Sequence, residues 1–431
     1  MFKNVICSAC SACCDDIQVD FSENGLIVNN ACKLGNAKFQ EVVCNRRIRE
    51  PLMRISGDLE GSPWNDALQK ACHLLADAKR PLIFMGSDIS CETMKVGLAL
   101  GEFLGGVVDS TTSVSDGPAV MGVQEAGRVG ATAGQNKIRS DLAVYWGTDP
   151  LESMPRHMSL YAIYPRGYWT RRGWLDRTII TVNNRGSSPS DRSDLHIQLK
   201  AARDYELLSA LLTLLHGKEP NSSVEDLTGV SVSQIKEMLE IMKGCNFGVI
   251  YLGTGFSSCG KDRIIELFLH LVKELNGFTR FVMSSLKSYC NTGGFSQIAS
   301  ALYGYPFGLD FARGYPRYNP GEFTTVDLLR ERDVDAALLI SSDLDVHLPA
   351  ACLEYLAEIP VISIEAFLSP MTLLSDVVLP GVIDAVECEG TLYRFDDVSL
   401  YSKRITCSPF EFTESNEHTL CQLFEKLKCI R

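Results

Sequence analysis

Apolar residues follow two rhythms along the chain. Short unbroken apolar runs, such as PLIFMGS, LAVYWGT, RTIITVNN, FGVIYLGTG, AALLISSD and PVISIEA, read as strands buried on both faces. Between them, apolar residues recur every three or four positions. Cys91 to Leu104, DYELLSALLTLLHG, SVSQIKEMLEIMKG and DRIIELFLHLVKELNG therefore read as helices, most of them amphipathic. This alternation predicts an α/β fold with doubly wound, mostly parallel sheets. The strands run out into small or polar residues (GSD, GTDP, GTG, SSD), at the edge where such sheets bind ligands. The beginning differs. VICSAC, DDIQVDF and GLIVNN read as short strands of a small Cys-rich β subdomain, with Asn24-Gly25 as a hairpin turn. The expected division is 1–50, then 51–245 with the SDGP and YWGTDP loops, then 246–431 with the GTG, ISSD and C-terminal strands.

Composition narrows the classes. With 431 residues, 45% hydrophobic and 22% charged, the chain is an ordinary globular one with room for several domains. A net charge of -12 makes it a poor partner for nucleic acid or an anionic membrane. Its longest apolar runs fall short of the ~20 residues of a membrane span. The opening MFKNVICSAC lacks the apolar core of a signal peptide, so a cytoplasmic protein is expected. There, 16 cysteines do not form a disulfide framework, and clustered ones read as metal ligands.

The densest cluster is Cys7-x2-Cys10-x3-Cys14, with Cys32 further on and Cys13 as an alternative third member. Four thiolates suit a [4Fe-4S] cluster or a tetrahedral zinc; three close and one distant resembles the cluster more than two zinc knuckles. Buried free thiols are the bland alternative. Ser115-Asp116-Gly117-Pro118 is a turn before a helix, with Asp116 as its expected N-cap. After LAVYW, Gly147 and Thr148 are placed to let backbone N–H groups approach a phosphate, with Arg156 and His157 adding charge. Gly253 and Gly255 follow another strand, but Ser258 breaks the dinucleotide fingerprint G-x-G-x-x-G. Asp343 ends the ISSD strand on the same ligand-binding edge. FARGYPRYNPGE, with Arg313 and Arg317, is either a stiff structural corner or a binding edge.

Taken together, CSACSACCDDI with NNACKLGNAKF, DGPAVMGVQEAG, SDLAVYWGTDPLESMPRHMSLY, YGYPFGLDFARGYPRYNPGE and SDVVLPGVIDAVECEGTLYRFDDV resemble the formylmethanofuran dehydrogenase B-subunit family, relatives of the molybdopterin formate dehydrogenases. The resemblance spans nearly the whole chain. It implies a multi-domain molybdopterin-oxidoreductase-like body, an N-terminal [4Fe-4S] cluster, and a bis-molybdopterin guanine dinucleotide holding tungsten or molybdenum. It also implies partner subunits: a hydrolase-like A, a β-helical C and a formyltransferase-like D. Where the family places a metal-ligating Cys or selenocysteine and then a His, this chain has Ser115 and Asp116; where it places a catalytic Arg, Lys287 stands. An imidazole becomes a carboxylate, and a bidentate guanidinium becomes a point charge. These changes match a related assembly, the formyltransferase/hydrolase complex. There the B-type chain is a scaffold, while formyl groups pass from tetrahydromethanopterin through a methanofuran-type carrier to formate. The retained cysteines match the alternative, a working tungsten or molybdenum dehydrogenase.

Overall fold

The structure, a computed structural model, describes residues 1–22, 25–187, 189–253, 262–287, 289–342 and 344–431. Two compact units interleave along the chain: residues 1–114, 289–394 and 399–431 form one, and 115–288 with 395–398 the other. Chain order alone, at 50/51 and 245/246, follows a different division, because the second unit is inserted into the first. Among the described residues, no helix is long and apolar enough to cross a membrane.

The first unit carries a nine-stranded sheet. Its five central strands are parallel, in the order Val107–Ser110, Pro81–Met85, Ala336–Ile340, Val361–Glu365, Val377–Pro380. Antiparallel strands flank them, Leu309–Asp310 on one side and Leu52–Ile55 on the other. Every residue of Pro81–Met85 and Ala336–Ile340 is buried, as a parallel strand covered on both faces requires. The chain runs from Pro81–Met85 through the helix Cys91–Leu104 to Val107–Ser110 on one side, and the later strands build outward on the other. The topological switch point therefore lies between Pro81–Met85 and Ala336–Ile340.

The second unit repeats this plan with five parallel strands: Leu195–Gln198, Thr178–Asn183, Leu142–Trp146, Phe247–Leu252 and Arg280–Ser285. Its switch point is between Leu142–Trp146 and Phe247–Leu252. Leu207, Leu211, Ile235, Met238, Ile265 and Phe268, all from helices, pack with Val144, Ile180 and Ile250 in one apolar core.

The N-terminal residues form the expected small sheet. Phe2–Val5, Ile17–Ser22 and Gly25–Asn29 pair antiparallel. Asn24 lies outside the described residues. VICSAC is not a strand through its cysteines. The strand stops at Val5, and Cys7 N donates to Cys14 O (2.9 Å), closing the thiols into a loop. The 311–321 segment is held as a corner: Arg317 Nε (2.7 Å) and Arg80 (3.1 Å) both donate to the fully buried Asp310 carboxylate.

Candidate functional site

Each unit has a cleft beyond the carboxyl edge of its sheet, where neighbouring strands diverge and their backbone groups point outward. In the second unit the cleft holds about 840 Å³. Gly147 and Thr148 line it, with Asn183, Arg185, Lys200 and Asp204. Gly147 sits at φ 62°, a left-handed conformation that favours glycine. Gly253 packs directly behind: a Cβ there would fall 2.4 Å from Gly147 O and 2.4 Å from Thr148 Cβ. The structure thus brings Gly147, Thr148 and Gly253 to one switch point. Gly255 and Asp343 lie outside the described residues.

His157 does not join them, because it is wholly buried. Its ring packs edge-on against Tyr251 and Phe395, and Nδ1 lies 3.4 Å from the Tyr145 hydroxyl. The half-buried Arg156 is not among the residues lining the cleft. Burial pushes the His157 imidazole down to about 3, so it stays neutral in the fold. The unfolded chain takes up a proton below about pH 6.5 while the folded chain does not, so this site costs stability as pH falls from about 6.5 towards 3. The loss is about 2 kcal/mol by pH 5. We expect His157→Phe to flatten this acid limb of the thermal-melt profile; an unchanged slope would show that the imidazole is protonated in the fold.

In the first unit the cleft holds about 410 Å³ and is lined by Ser87, Asp88, Ser341, Ser342, Glu365 and Cys290, among others. Lys38, also lining it, pairs with Asp88 (3.0 Å) and Glu41 (2.9 Å). Nearby is the thiol loop. Cys7, Cys10, Cys13 and Cys14 are buried, and Cys32 is half-buried at the N-cap of the helix Lys33–Gln40, its sulfur accepting from Gly35 N. Gly35 keeps a space open: a Cβ there would lie 3.0 Å from Cys7 Sγ and 3.9 Å from Cys32 Sγ. Burial pushes the Cys7 thiol up to about 12, and the neighbouring Cys14, Cys290 and Cys32 add to this. Thiols crowded in this way stay protonated unless a cation replaces their protons. Among the described residues, no three His, Cys, Asp or Glu are gathered as a single metal ion would need. The Cys7 and Cys32 sulfurs flank Gly35, and Cys10 and Cys14 lie close enough to Cys7 to interact with it electrostatically.

The residues that depart from the family pattern do come together. Asp116 precedes the helix Gly117–Ala126, whose early Pro118 needs no N–H partner. Asp116 occupies the expected N-cap position, but its side chain makes no cap hydrogen bond. The carboxylate faces Lys287 Nζ at 3.8 Å instead. Lys287 also contacts Asp397 (3.2 Å), and Arg128 pairs with Asp397 from the far side. Asp116 and Lys287 are buried, at 5% and 8% exposure. Burial raises the Asp116 carboxyl, against the pull of Lys287. At Asp397 the attraction of Lys287 and Arg128 outweighs burial and holds the carboxyl below its usual range. Two cations and two carboxylates thus neutralise one another, with the half-buried Ser115 beside Asp116. Sequence reasoning misses Arg128 and Asp397. Both occur within or beside segments that carry the family resemblance, EAG-Arg128 and RF-Asp396-Asp397-V, but nothing local marks them as partners. Ser115 and Asp116 offer a hydroxyl and a carboxylate where a soft thiolate suits tungsten or molybdenum.

No family model matches the chain. Among curated proteins it is 37% identical over 413 residues to the B subunit of tungsten-containing formylmethanofuran dehydrogenase 2 of Methanococcus maripaludis, covering 95% of both chains. The protein of that name from Methanocaldococcus jannaschii is 37% identical over 411 residues, covering 94% of both. Among solved structures, the formyltransferase/hydrolase complex of Methylorubrum extorquens with methylofuran matches at TM-score 0.70 and 18% identity, over 88% of this chain and 100% of that one. Acetylene hydratase of Pelobacter acetylenicus matches at TM-score 0.71 and 12% identity, over 99% of this chain and 69% of that one. These two likenesses show that the chain shares its α/β fold with both structures. Identity at this level along nearly the full length decides the rest: the chain belongs to the formylmethanofuran dehydrogenase B-subunit family.

Proposed function

We propose that this chain is the B-type member of a cytoplasmic one-carbon complex and works there without redox chemistry of its own, as the scaffold-like subunit of a formyltransferase/hydrolase-type assembly. In that assembly a formyl group moves from tetrahydromethanopterin to a methanofuran-type carrier and leaves as formate. The neighbouring hydrolase-like A, β-helical C and formyltransferase-like D subunits perform the transfer. The quartet of Asp116, Lys287, Asp397 and Arg128 carries this reading. Reduction of CO2 at a metal asks for a soft ligand, a proton donor or acceptor, and a cation free to hold developing negative charge. Lys287, the cation at this position, is committed to two carboxylates.

Two observations favour a second reading. The thiol cradle at Gly35 supports a [4Fe-4S] cluster, and both curated relatives are named as tungsten-containing. In that case the chain is a dehydrogenase subunit holding a bis-molybdopterin guanine dinucleotide, with a Ser115 or Asp116 oxygen available to the metal. The purified complex, assayed for tungsten, molybdenum, pterin and viologen-linked formate oxidation, separates the two. We expect substoichiometric tungsten, molybdenum and pterin, with no formate oxidation. One tungsten or molybdenum with two pterins per chain would sink the scaffold reading. Iron at cluster stoichiometry is compatible with both readings.

A further inference from the structure

The thiol loop contains one cysteine with a separate use. Cys13 lies inside the Cys7–Cys14 run, and its sulfur meets Cys290 Sγ at 3.8 Å. The pair is 277 residues apart in sequence, and both thiols are free. Both are buried, at 0% and 2% exposure, within a small apolar cluster with Ile6, Ala385 and Leu392. Cys13 adopts φ 39°, a left-handed backbone uncommon for a residue with a side chain, and its N–H donates to Cys10 O (3.1 Å). That tight turn is what aims the side chain at Cys290. Cys13 Sγ is also within weak hydrogen-bond reach of two carbonyl oxygens, Cys10 O at 3.7 Å and Tyr393 O at 3.9 Å.

We propose that Cys13 and Cys290 form a reversible disulfide that pins the N-terminal thiol loop to the Cys290 segment under oxidation. The sulfurs stand at van der Waals contact and need only side-chain rotation and slight approach to reach the ~2.05 Å of a bond. Access exists on one side. Cys290 lines the first unit's cleft, whereas Cys13 is sealed. The oxidant is hydrogen peroxide. Cys290 sulfur attacks the peroxide, the O–O bond breaks, and a sulfenic acid and one water form. Cys13 sulfur then displaces the hydroxyl of the sulfenic acid, giving the S–S bond and a second water. Two thiols lose two electrons and two protons in all, and hydrogen peroxide is reduced to water. A dithiol reductant reverses the bond by exchange. Cys7, Cys10, Cys14 and Cys32 are left free for a cluster.

The test is a peptide map of the full chain in its purified complex. One sample is kept anaerobic and reduced, one is treated with hydrogen peroxide, and both are blocked with N-ethylmaleimide before trypsin. Cleavage after Lys3, Lys33, Lys287 and Arg313 leaves peptides 4–33 and 288–313. We expect these to be joined in the treated sample alone, with fragment ions placing the bond on Cys13, and separated again by dithiothreitol. Cys13→Ser and Cys290→Ser should each abolish the joined species, whereas Cys72→Ser should not. If either variant fails to fold, the wild-type fragment ions still decide. A bond placed on Cys7, Cys10 or Cys14, or Cys290 recovered with the maleimide after peroxide, overturns the proposal.

Discussion

Replacing Lys287 with methionine should destabilise the second unit by about 3 kcal/mol, the cost of removing one partner from a buried ion pair. The side chain is 9% exposed, so water cannot replace the ammonium. Arg128 still holds Asp397, and the loss therefore falls mainly on Asp116. Asp116, whose carboxyl burial already raises, can escape by taking up a proton. With Lys287 gone its folded-state pKa rises further above the unfolded value near 3.8. A group raised in the fold contributes stability below its unfolded pKa and loses it as pH rises through the folded one. The Lys287→Met deficit should therefore be largest at pH 8 and shrink towards pH 4. The double variant Asp116→Asn with Lys287→Met should recover most of it, because no unpaired charge remains. Urea midpoints of the three proteins at both pH values measure this. Equal midpoints for the wild type and Lys287→Met at pH 8 would mean that the quartet is open to water.

Much of the fold is legible in the sequence because strands buried on both faces cannot alternate. PLIFM, LAVYW and AALLI have no polar position to spare, and each is a central parallel strand. The helix Cys91–Leu104 is legible for another reason: Ser90 caps it, accepting from Thr93 N, and Gly105 ends it in a left-handed conformation. The interleaving of the two units is not legible. It depends on Ala336–Ile340 pairing with Pro81–Met85 across more than 200 residues, and nothing local encodes that register. VICSAC misleads for a local reason. Its apolar and cysteine positions look like a strand, but Cys7 spends its N–H on Cys14 O instead of a sheet partner.

The candidate site is half legible. Spacing points to the four thiols, and resemblance to Ser115, Asp116 and Lys287. Gly147 is visible as a glycine after a strand, and its positive φ gives the physical reason. His157 misleads because a histidine beside an arginine reads as surface charge, whereas Tyr145, Tyr251 and Phe395 enclose it. Cys13 stands out in the sequence only as a spare ligand. Its partner Cys290 is distant along the chain, and the turn that brings the two together exists only in three dimensions.

Gly86→Ala should have an effect at least as large as the loss of Lys287. Gly86 follows Pro81–Met85 at the first unit's switch point, and its N–H donates to Ile340 O at 2.8 Å. A Cβ there would stand 1.6 Å from Ser341 O and 2.6 Å from Ser341 C. Both are backbone atoms, so no rotamer change relieves the clash; the two central strands must separate. Ser341 cannot easily give way, since it already sits at φ 46° and its N–H donates to Ile364 O. Overpacking usually costs ~1–3 kcal/mol, and a backbone clash between paired central strands belongs at or above the top of that range. Ser87, Asp88, Ser341 and Ser342 line the cleft at this point, so relief of the clash would also move its floor. Gly244→Ala is the matched control: Gly244 ends the helix Val232–Gly244 with nothing within 4 Å of a Cβ, and alanine there should be neutral or slightly stabilising. Urea unfolding, with the two units followed separately, should show Gly86→Ala lowering the transition of the first unit and leaving that of the second in place. A Gly86→Ala transition within about 0.5 kcal/mol of the wild type would show that the strands are not held this close in solution.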